Sequence, residues 1–382
     1  MKFLIAPDSF KGSLTAKEAA NAIAMGIMRI FPQADYEIIP MADGGEGTVQ
    51  SLVDATGGKI MTANVHNPLG KIVRAKYGLL GNSRTAVIEM AAASGIQYLN
   101  KETKNPMITS TYGTGELIRA ALDQNVDQII IGLGGSATID GGAGMAQALG
   151  VRLLSSDGQE IQLGGGGLAD LKHVDTTALD SRLQRTKIII ASDVTNPLTG
   201  KDGAAVVFGP QKGATNKMIS QLDRNLHHFA MIVTRNLGES LEYTAGGGAA
   251  GGLGFGLLAF TNAEMRKGIE IVTEYSHLAE KAVDSDYVFT GEGGMDFQTK
   301  FGKTPYGVAK VAKRVAPTAH VIALTGKIGA GVESLYEDGI IDAIFSTPNG
   351  AKSLTQAIND ANDDIAIVAE NVARLIKLTK KD

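Results

Sequence analysis

The sequence predicts an α/β protein whose parallel sheet is assembled from both ends of the chain. Alternating strand and helix patterns occupy the first 58 residues and return from about residue 285. Between them, short strands separated by turn residues are typical of antiparallel pairing. We therefore predict a flavodoxin-like doubly wound parallel sheet domain, residues 1-58 and 285-382. It is interrupted by a second, inserted α/β domain with a mixed sheet, residues 59-284.

The first two strands each lead through a charged, glycine-bearing loop into a helix. Phe3–Ala6 is an apolar strand, and apolar residues at helical spacing predict a helix over Thr15–Ile30, which Pro32 ends. Tyr36–Pro40 is the second strand, and the helix after it ends at Gly57. This β-α-β-α order indicates one half of a parallel sheet.

The predicted insertion opens with three strands joined by turns and continues with longer elements. Asn, Pro and Gly at 67–70 and 81–83 are typical of hairpin turns. The predicted elements are strands at 59–66, 71–80, 84–90 and 187–191, and helices at 114–125 and 216–236.

A glycine-rich stretch at residues 128–150 follows a β-branched apolar run that predicts a buried strand. Gly134 and Gly135 leave the backbone bare there, and either Ser136 or Thr138 could cap a helix that begins near Asp140. Exposed N–H groups and a helix N-terminus suit an anion such as phosphate, and Asp140 could hold a metal or accept a proton. The alternative is that the glycines only allow a helix to pack closely on a sheet.

The β-α rhythm resumes near the end of the chain. Counted with the first two, the later strands give five, each followed by helical sequence, as in flavodoxin-like sheets. Their strand order, 2-1-3-4-5, would place a ligand-binding switch point between the first and third strands. The later elements are strands at 287–290, 320–325 and 343–346 and a helix from about residue 306.

Composition narrows the classes of partner. The chain of 382 residues has 36 Lys and Arg against 40 Asp and Glu, a net charge of −4, so we expect no nucleic acid partner. It contains no cysteine, which excludes disulfides and thiolate chemistry. We find no signal-peptide pattern and no long apolar run, so we expect a cytoplasmic protein with no membrane partner. The chain could form a homo-oligomer.

The loops expected to meet at the switch point carry carboxylates, lysines and glycines together. This mixture suits phosphoryl transfer, which depends on positioning and charge neutralisation. Glycine amides and lysines hold phosphate oxygens, carboxylates hold Mg²⁺, and one carboxylate takes the proton of the attacking hydroxyl. The candidates are Asp8, Ser9 and Lys11 after the first strand, Asp43 and Glu46 after the second, and Glu292, Asp296, Lys300 and Lys303 after the third.

Each candidate also has a purely structural interpretation. Asp8 and Asp43 could be turn or helix-cap residues. Lys300 and Lys303 could be solvated loop charges. Asp193, which follows a strand, is as compatible with a turn as with a metal ligand.

Several segments, in order along the chain, resemble those of bacterial class I glycerate kinases. The resemblance implies ATP:D-glycerate phosphotransfer with Mg²⁺ in a flavodoxin-like domain interrupted by a second α/β domain. The matching segments are APDSFKGSLTA (6–16), PMADGGEGT (40–48), GLGGSATIDGGAGMAQALG (132–150), SDVTNPLTG with FGPQKGA (192–214), GGGAAGGLG (246–254) and GEGGMDFQT with GK (291–303).

The resemblance also implies roles for individual residues. Two positions depart from the family pattern, because the family usually has Arg at Gly294 and Asn at Ile139. Loss of that arginine could weaken binding of nucleotide or product. The expected catalytic residues are Asp8, Lys11, Asp43 and Asp193; the substrate or nucleotide ligands are Ser9, Gly134, Gly135, Ser136, Asp140, Glu292, Asp296, Lys300 and Lys303; and the Mg²⁺ ligands are Asp193 and Glu292.

Three alternatives remain open at this point. The family favours 2-phosphoglycerate as product, but a kinase that forms 3-phosphoglycerate or acts on another small hydroxy acid would share these features. A non-catalytic protein that binds a small acid is the alternative from another class.

Overall fold

The structure is a computed structural model and describes residues 1–379. The strands are β1 (Lys2–Ile5), β2 (Asp35–Ile38), β3 (Lys59–His66), β4 (Ile72–Leu79), β5 (Thr85–Glu89), β6 (Gln128–Gly132), β7 (Arg152–Leu154), β8 (His173–Asp175), β9 (Lys187–Ala191), β10 (Ala263–Arg266), β11 (Tyr287–Glu292), β12 (His320–Thr325) and β13 (Ala343–Ser346). The α-helices are α1 (Ala16–Met28), α2 (Thr48–Thr56), α3 (Ala91–Ser94), α4 (Tyr112–Leu122), α5 (Ala143–Ala148), α6 (Ala204–Phe208), α7 (Asn216–Leu237), α8 (Ala249–Phe260), α9 (Gly268–Tyr275), α10 (Leu278–Ala282), α11 (Thr304–Val315), α12 (Leu354–Asn359) and α13 (Ala361–Thr379).

The chain forms two compact units. The first unit contains residues 1–57 and the segment from Lys267 onward, and the second contains Gly58–Arg266. The sequence division instead assigned residues 267–284 to the insertion. In the structure α9 and α10 pack against α11 in the first unit, where the side chain of Ile269 lies against Gly307. The predicted domain limits themselves stay a prediction.

The first unit is built on a five-stranded parallel sheet in the order β13-β12-β11-β1-β2. Numbered within the unit, this is the predicted order 2-1-3-4-5, with β1 between β2 and β11. Phe3 pairs with Tyr36 on one side and Tyr287 on the other, and its ring stacks on both at 5.5 Å. This arrangement brings the carboxyl ends of β1, β2 and β11 to one edge of the sheet.

Helix α1 is fixed by its cap and by close packing. Thr15 and Glu18 form a reciprocal capping box at its start. Gly26 faces α13, where a Cβ atom would come within 2.2 Å of the Ala366 carbonyl oxygen. The absence of a side chain at this position therefore allows the two helices to approach closely.

One element of the predicted β-α rhythm is wrong. Between β12 and β13 the chain forms a 3₁₀-helix of four residues, Val332–Leu335, and no α-helix. This connection is drawn towards the loop after β11, because the amide of Met295 donates to the Lys327 carbonyl and that of Gly329 donates to the Met295 carbonyl.

The second unit contains a six-stranded mixed sheet in the order β10-β9-β6-β5-β4-β3. β4 is antiparallel to both β3 and β5, whereas the other pairs are parallel. This confirms the predicted mixed sheet. The edge strand β10 and the β7–β8 hairpin were not predicted. No helix within residues 1–379 has both the length and the apolar character needed to span a membrane.

The glycine-rich stretch folds differently from the prediction. β6 ends at Gly132, but α5 begins only at Ala143, and its N-cap is Gly142, with no side-chain cap. The expectation that Ser136 or Thr138 caps a helix near Asp140 is therefore wrong. The intervening residues form an irregular loop, and α5 has only six residues.

Candidate functional site

The loops after β1, β2 and β11 meet at one edge of the first unit. The amide of Asp8 donates to the Gly291 carbonyl over 2.8 Å, and the amide of Met41 donates to the Pro7 carbonyl over 2.9 Å. These two backbone hydrogen bonds extend the sheet pairing beyond the strands. They hold the polar residues that follow each strand in a fixed arrangement.

Asp8 lies at the centre of this arrangement and is only 9% exposed. Its carboxylate accepts hydrogen bonds from the Ser9 amide, at 2.6 Å, and from the Thr304 hydroxyl. Burial, with a further contribution from the charge of Asp43, raises the pKa of Asp8 to about 6. The two hydrogen bonds oppose this rise because they stabilise the ionised form.

Glu292 provides a second buried carboxylate, at the end of β11. Burial is the main cause that raises the pKa of Glu292 to about 7, and the charges of Asp8 and Asp43 add to it. Lys303, whose Nζ lies 3.7 Å from Oε1, and the Thr299 hydroxyl, at 2.9 Å, act in the opposite direction. Three carboxylates therefore influence one another electrostatically, as expected of a site that receives a cation or a proton.

Asp43 is held by the loop that follows β2. Its Oδ1 atom accepts from the Gly45 amide at 3.1 Å, and its carbonyl oxygen packs against Gly268, where a Cβ would come within 1.8 Å. Asp8, Asp43 and Glu292 are hereafter called the carboxylate cluster.

A cavity of about 280 Å³ adjoins Asp8. Ser9, Lys11 and Glu46 also line it, and Lys11 itself is exposed. The volume is at the lower end of small-molecule pockets, which suits a compact acid better than a whole nucleotide. Hence the cavity gives a small substrate a route to the Asp8 carboxylate.

The two predicted lysines have different positions. Lys303 lies beside the cluster, 3.7 Å from Glu292 and 3.9 Å from Asp296. Lys300 forms an ion pair with Asp338 at 2.8 Å, so its charge is already engaged. The structure thus brings Lys303 into the candidate site and supports the structural interpretation for Lys300.

Asp296 has a structural function of its own. Its Oδ1 atom accepts from the Gln298 amide at 2.8 Å and caps the 3₁₀-helix Phe297–Phe301. Lys303 is its charged neighbour in the site.

No group of three or more His, Cys, Asp and Glu side chains within residues 1–379 is arranged to hold a metal ion. Mg²⁺ does not require such a group, because it commonly binds one or two carboxylates together with substrate phosphates and water. The oxygen donors of the carboxylate cluster are of the type it prefers. Of the two predicted ligands, Glu292 is in the first unit and Asp193 is in the second, on the exposed loop after β9.

In the second unit, the loop at Gly134–Ser136 is open to solvent. Gly134 and Gly135 are exposed, and Gly135 has a φ of +73°, which favours glycine. The Gly135 carbonyl accepts from the Ile96 amide at 2.8 Å, which fixes the turn. Ser136 accepts a hydrogen bond from the Lys212 ammonium at 2.6 Å.

Asp140 is fully buried beneath this loop. Its Oδ2 atom accepts from the amide and hydroxyl of Thr111, both at 2.8 Å. The amides of Gly142 and Gly144 donate to the same carboxylate at 3.2 and 3.3 Å. Burial raises the pKa of Asp140, and these donors oppose the rise. With no exposed surface and four donors, Asp140 is placed to anchor the backbone rather than to contact a ligand.

Three residues near these positions were missed at the sequence level. Thr299 and Thr304 donate hydroxyl hydrogen bonds to Glu292 and Asp8. Both lie between or next to the charged residues after β11, so polar residues in that loop were the available signal. Lys212 lies in the segment FGPQKGA, but no local pattern distinguishes a buried lysine from an exposed one.

Comparison with known proteins extends over nearly the whole chain. The model of the "Glycerate kinase family" matches residues 3–377. Glycerate kinase of Bacillus subtilis is 53% identical over 380 residues, covering 100% of this chain and 99% of that protein. Glycerate 2-kinase of Escherichia coli is 47% identical, covering 99% and 98%.

A solved structure agrees with the family model and with these two relatives. The protein described as glycerate kinase 2 from Salmonella typhimurium LT2 has a TM-score of 0.90 and 50% identity, over 99% of this chain and 98% of that one. The sequence matches and the structural match each extend over almost the whole chain, and they agree on one family. The chain belongs to the glycerate kinase family.

Proposed function

We propose that this chain transfers the γ-phosphate of ATP to the 2-hydroxyl of D-glycerate, with Mg²⁺, at the carboxylate cluster of the first unit. Its membership of the glycerate kinase family makes it an ATP-dependent phosphotransferase acting on glycerate. The name of the Escherichia coli relative, glycerate 2-kinase, supports the choice of hydroxyl. The observation that carries the proposal is the convergence of Asp8, Asp43 and Glu292 beside Lys303.

Asp8 is the proposed general base. It lines the cavity that suits a small acid, and burial raises its pKa to about 6. A carboxylate with such a pKa is ionised at neutral pH and still accepts a proton more readily than an exposed one. Thr304 and the Ser9 amide would hold its oxygens in place as the hydroxyl attacks.

Lys303 and Lys11 are the proposed phosphate partners. Lys303 lies within 4 Å of two carboxylates, so its ammonium is oriented at the site before any ligand binds. Lys11 is exposed at the cavity and forms no ion pair within residues 1–379, which lets it move towards an incoming anion. Both would offset charge on the transferring group.

Glu292, with Asp43 beside it, would hold Mg²⁺ through carboxylate oxygens. When bound with ATP, the ion would neutralise charge on the phosphates. Electrostatic repulsion within the cluster supports this assignment, because a cation there would offset it. Asp193 stays a predicted ligand, and the homo-oligomer and cytoplasmic location stay predictions.

Phosphorus NMR of a reaction containing ATP, Mg²⁺ and D-glycerate tests the function. We expect a new phosphomonoester signal whose chemical shift is that of authentic 2-phosphoglycerate. A signal matching 3-phosphoglycerate would overturn the regiochemistry but keep the kinase. Binding of D-glycerate with no transfer of label from γ-³²P-ATP would instead support a non-catalytic binding protein.

A further inference from the structure

The second unit buries a lysine directly beneath its exposed glycine loop. The side chain of Lys212 is 1% exposed. Its ammonium donates to the Ser136 hydroxyl at 2.6 Å and to the Thr138 carbonyl at 2.7 Å. Ser136 is therefore the link between this buried cation and the exposed Gly134 and Gly135.

No carboxylate within residues 1–379 forms an ion pair with Lys212. Asp140 is the acidic group whose charge acts on it, but the oxygens of Asp140 are occupied by Thr111, Gly142 and Gly144. Lys104 is a neighbouring, half-buried lysine whose ammonium donates to the Gln211 carbonyl at 3.4 Å in an exposed hydrogen bond. A buried ammonium in this position is only partly compensated.

The helix that the sequence placed here cannot supply the positive charge. Helix α5 begins at Ala143, well beyond Ser136, and has six residues. Burial lowers the pKa of Lys212 to about 7, with Asp140 opposing the change. Near neutral pH the loop therefore stands above a group that can gain or lose a proton.

We propose that Lys212 is the cationic positioning residue of the Gly134–Ser136 loop, and that it takes up a proton when an anionic group of a substrate binds there. The anion is a carboxylate or a phosphate, supplied by D-glycerate or by ATP. This inference rests on the proposed function, because it assumes that these are the substrates. Lys212 acts through Ser136 and the loop and need not touch the ligand.

The direction of the linkage follows from electrostatics. An anion near Lys212 favours its charged form and raises its pKa by about 1–3 units. At pH 8 a group with a pKa of about 7 is protonated in about a tenth of molecules, so binding should take up about 0.4–0.9 proton per site. Neither the carboxylate of glycerate nor the phosphates of ATP titrate appreciably at pH 8.

Isothermal titration calorimetry measures this uptake. D-glycerate and Mg-free ATP are titrated separately into the full-length protein at pH 8, in two buffers of different ionisation enthalpy. We expect one of the two ligands to bind with uptake of about 0.4–0.9 proton, and that ligand identifies the occupant of the loop. Uptake should fall by about 0.4–0.9 proton in Lys212→Met and in Lys212→Arg, because neither side chain titrates near pH 8. Any uptake that comes from Glu292, whose pKa is about 7, is common to the unmodified protein and both variants.

Lys104→Met is the matched control. It removes a neighbouring lysine whose ammonium makes only an exposed hydrogen bond, and it should leave the uptake unchanged. Absence of uptake with both ligands, or uptake that is the same in the Lys212 variants as in the unmodified protein, would overturn the proposal. Where neither variant folds, uptake is measured in Glu292→Gln, which removes the other group with a pKa of about 7. Uptake of about 0.4–0.9 proton should remain in that variant, and its loss would overturn the proposal.

The proposed function is tested by a different measurement, the phosphorus NMR experiment. If phosphorus NMR shows no phosphoryl transfer but proton uptake is present and depends on Lys212, the kinase reaction is refuted and the linkage stands. If transfer occurs but uptake is absent, only the role of Lys212 is refuted.

Discussion

Asp140 is predicted to be the anchor of the glycine-rich loop in the second unit. Its carboxylate receives four hydrogen bonds, three of them from Thr111 and the Gly144 amide at Oδ2 and one from the Gly142 amide at Oδ1. Asp140→Asn keeps the shape and can retain one acceptor oxygen. The NH₂ group of the asparagine cannot accept a hydrogen bond, so it must face either the three donors at the Oδ2 position or the single donor at the Oδ1 position. The second orientation costs less and leaves only the Gly142 amide without an acceptor.

The size of the effect follows from that count. One buried donor left unsatisfied costs about 1–3 kcal/mol, and the remaining bonds lose their ionic character. Relief from burying a charge offsets part of this, so we expect Asp140→Asn to lower the free energy of unfolding by about 2 kcal/mol. Asp140→Ala deprives all four donors of a partner and should lower it by about 4 kcal/mol or more.

Urea denaturation followed by circular dichroism gives the free energies, and hydrogen exchange locates the loss. We expect faster exchange in residues 111–144, with the sheet of the first unit unaffected. Asp202→Asn is the control, because that carboxylate is 65% exposed. A loss below about 0.5 kcal/mol in both Asp140 variants would contradict the anchoring role.

Four further predictions concern other residues. Asp8→Asn should lower kcat by about 10²–10⁴ and remove a rise of kcat/KM with pH centred near 6; unchanged kinetics would exclude Asp8 as the base. In Lys212 the folded pKa of about 7 is below the unfolded value of 10.5, so the unfolded chain binds the extra proton and stability rises with pH between them. Compared with Lys212→Met by urea denaturation, the unmodified protein should gain about 2 kcal/mol from pH 7 to pH 9, and an equal gain in both would disprove the shift. Gly135→Ala imposes a φ of +73° on alanine and places its Cβ 3.3 Å from that of Ala91, so the thermal midpoint should fall; a raised KM for one substrate at unchanged midpoint would instead indicate ligand contact. At Gly294 an added Cβ meets no atom closer than 3.9 Å, so Gly294→Arg should fold normally and tighten ATP or product binding; unchanged affinity would remove position 294 from the site.

Local patterns were sufficient for most of the first unit. The strands β1, β12 and β13 are mostly apolar and are bounded by charged or glycine-rich loops, so short apolar runs between turn residues identified them. The order 2-1-3-4-5 was then predicted because flavodoxin-like sheets have the same number of strands, each followed by a helix. The same rules located Asp8, Asp43 and Glu292 at one edge, since residues that follow neighbouring parallel strands must meet.

Where the structure differs from the sequence prediction, the cause is a contact between residues far apart in the chain. Helix α5 starts late because Gly142 adopts a φ of +78° against Gly256, whose Cα would lie 3.0 Å from an added Cβ. Gly256 lies far from residue 142 in the sequence, so local sequence patterns cannot reveal this contact. Ile139, noted as a departure from the family pattern, is fully buried in an apolar cluster, so its side chain contributes to the core.

The sequence by itself determined the five strands of the first unit's sheet and their order along the chain, because hydrophobic period and turn residues are local properties. It also determined which charged residues follow the strands. Tertiary structure decided which of those charges are buried, paired or available. Lys300 is neutralised by Asp338, Asp140 is enclosed by backbone amides, and Lys212 is covered beneath the glycine loop. Burial and electrostatic coupling arise between residues far apart in the chain, so they exist only once the chain has folded.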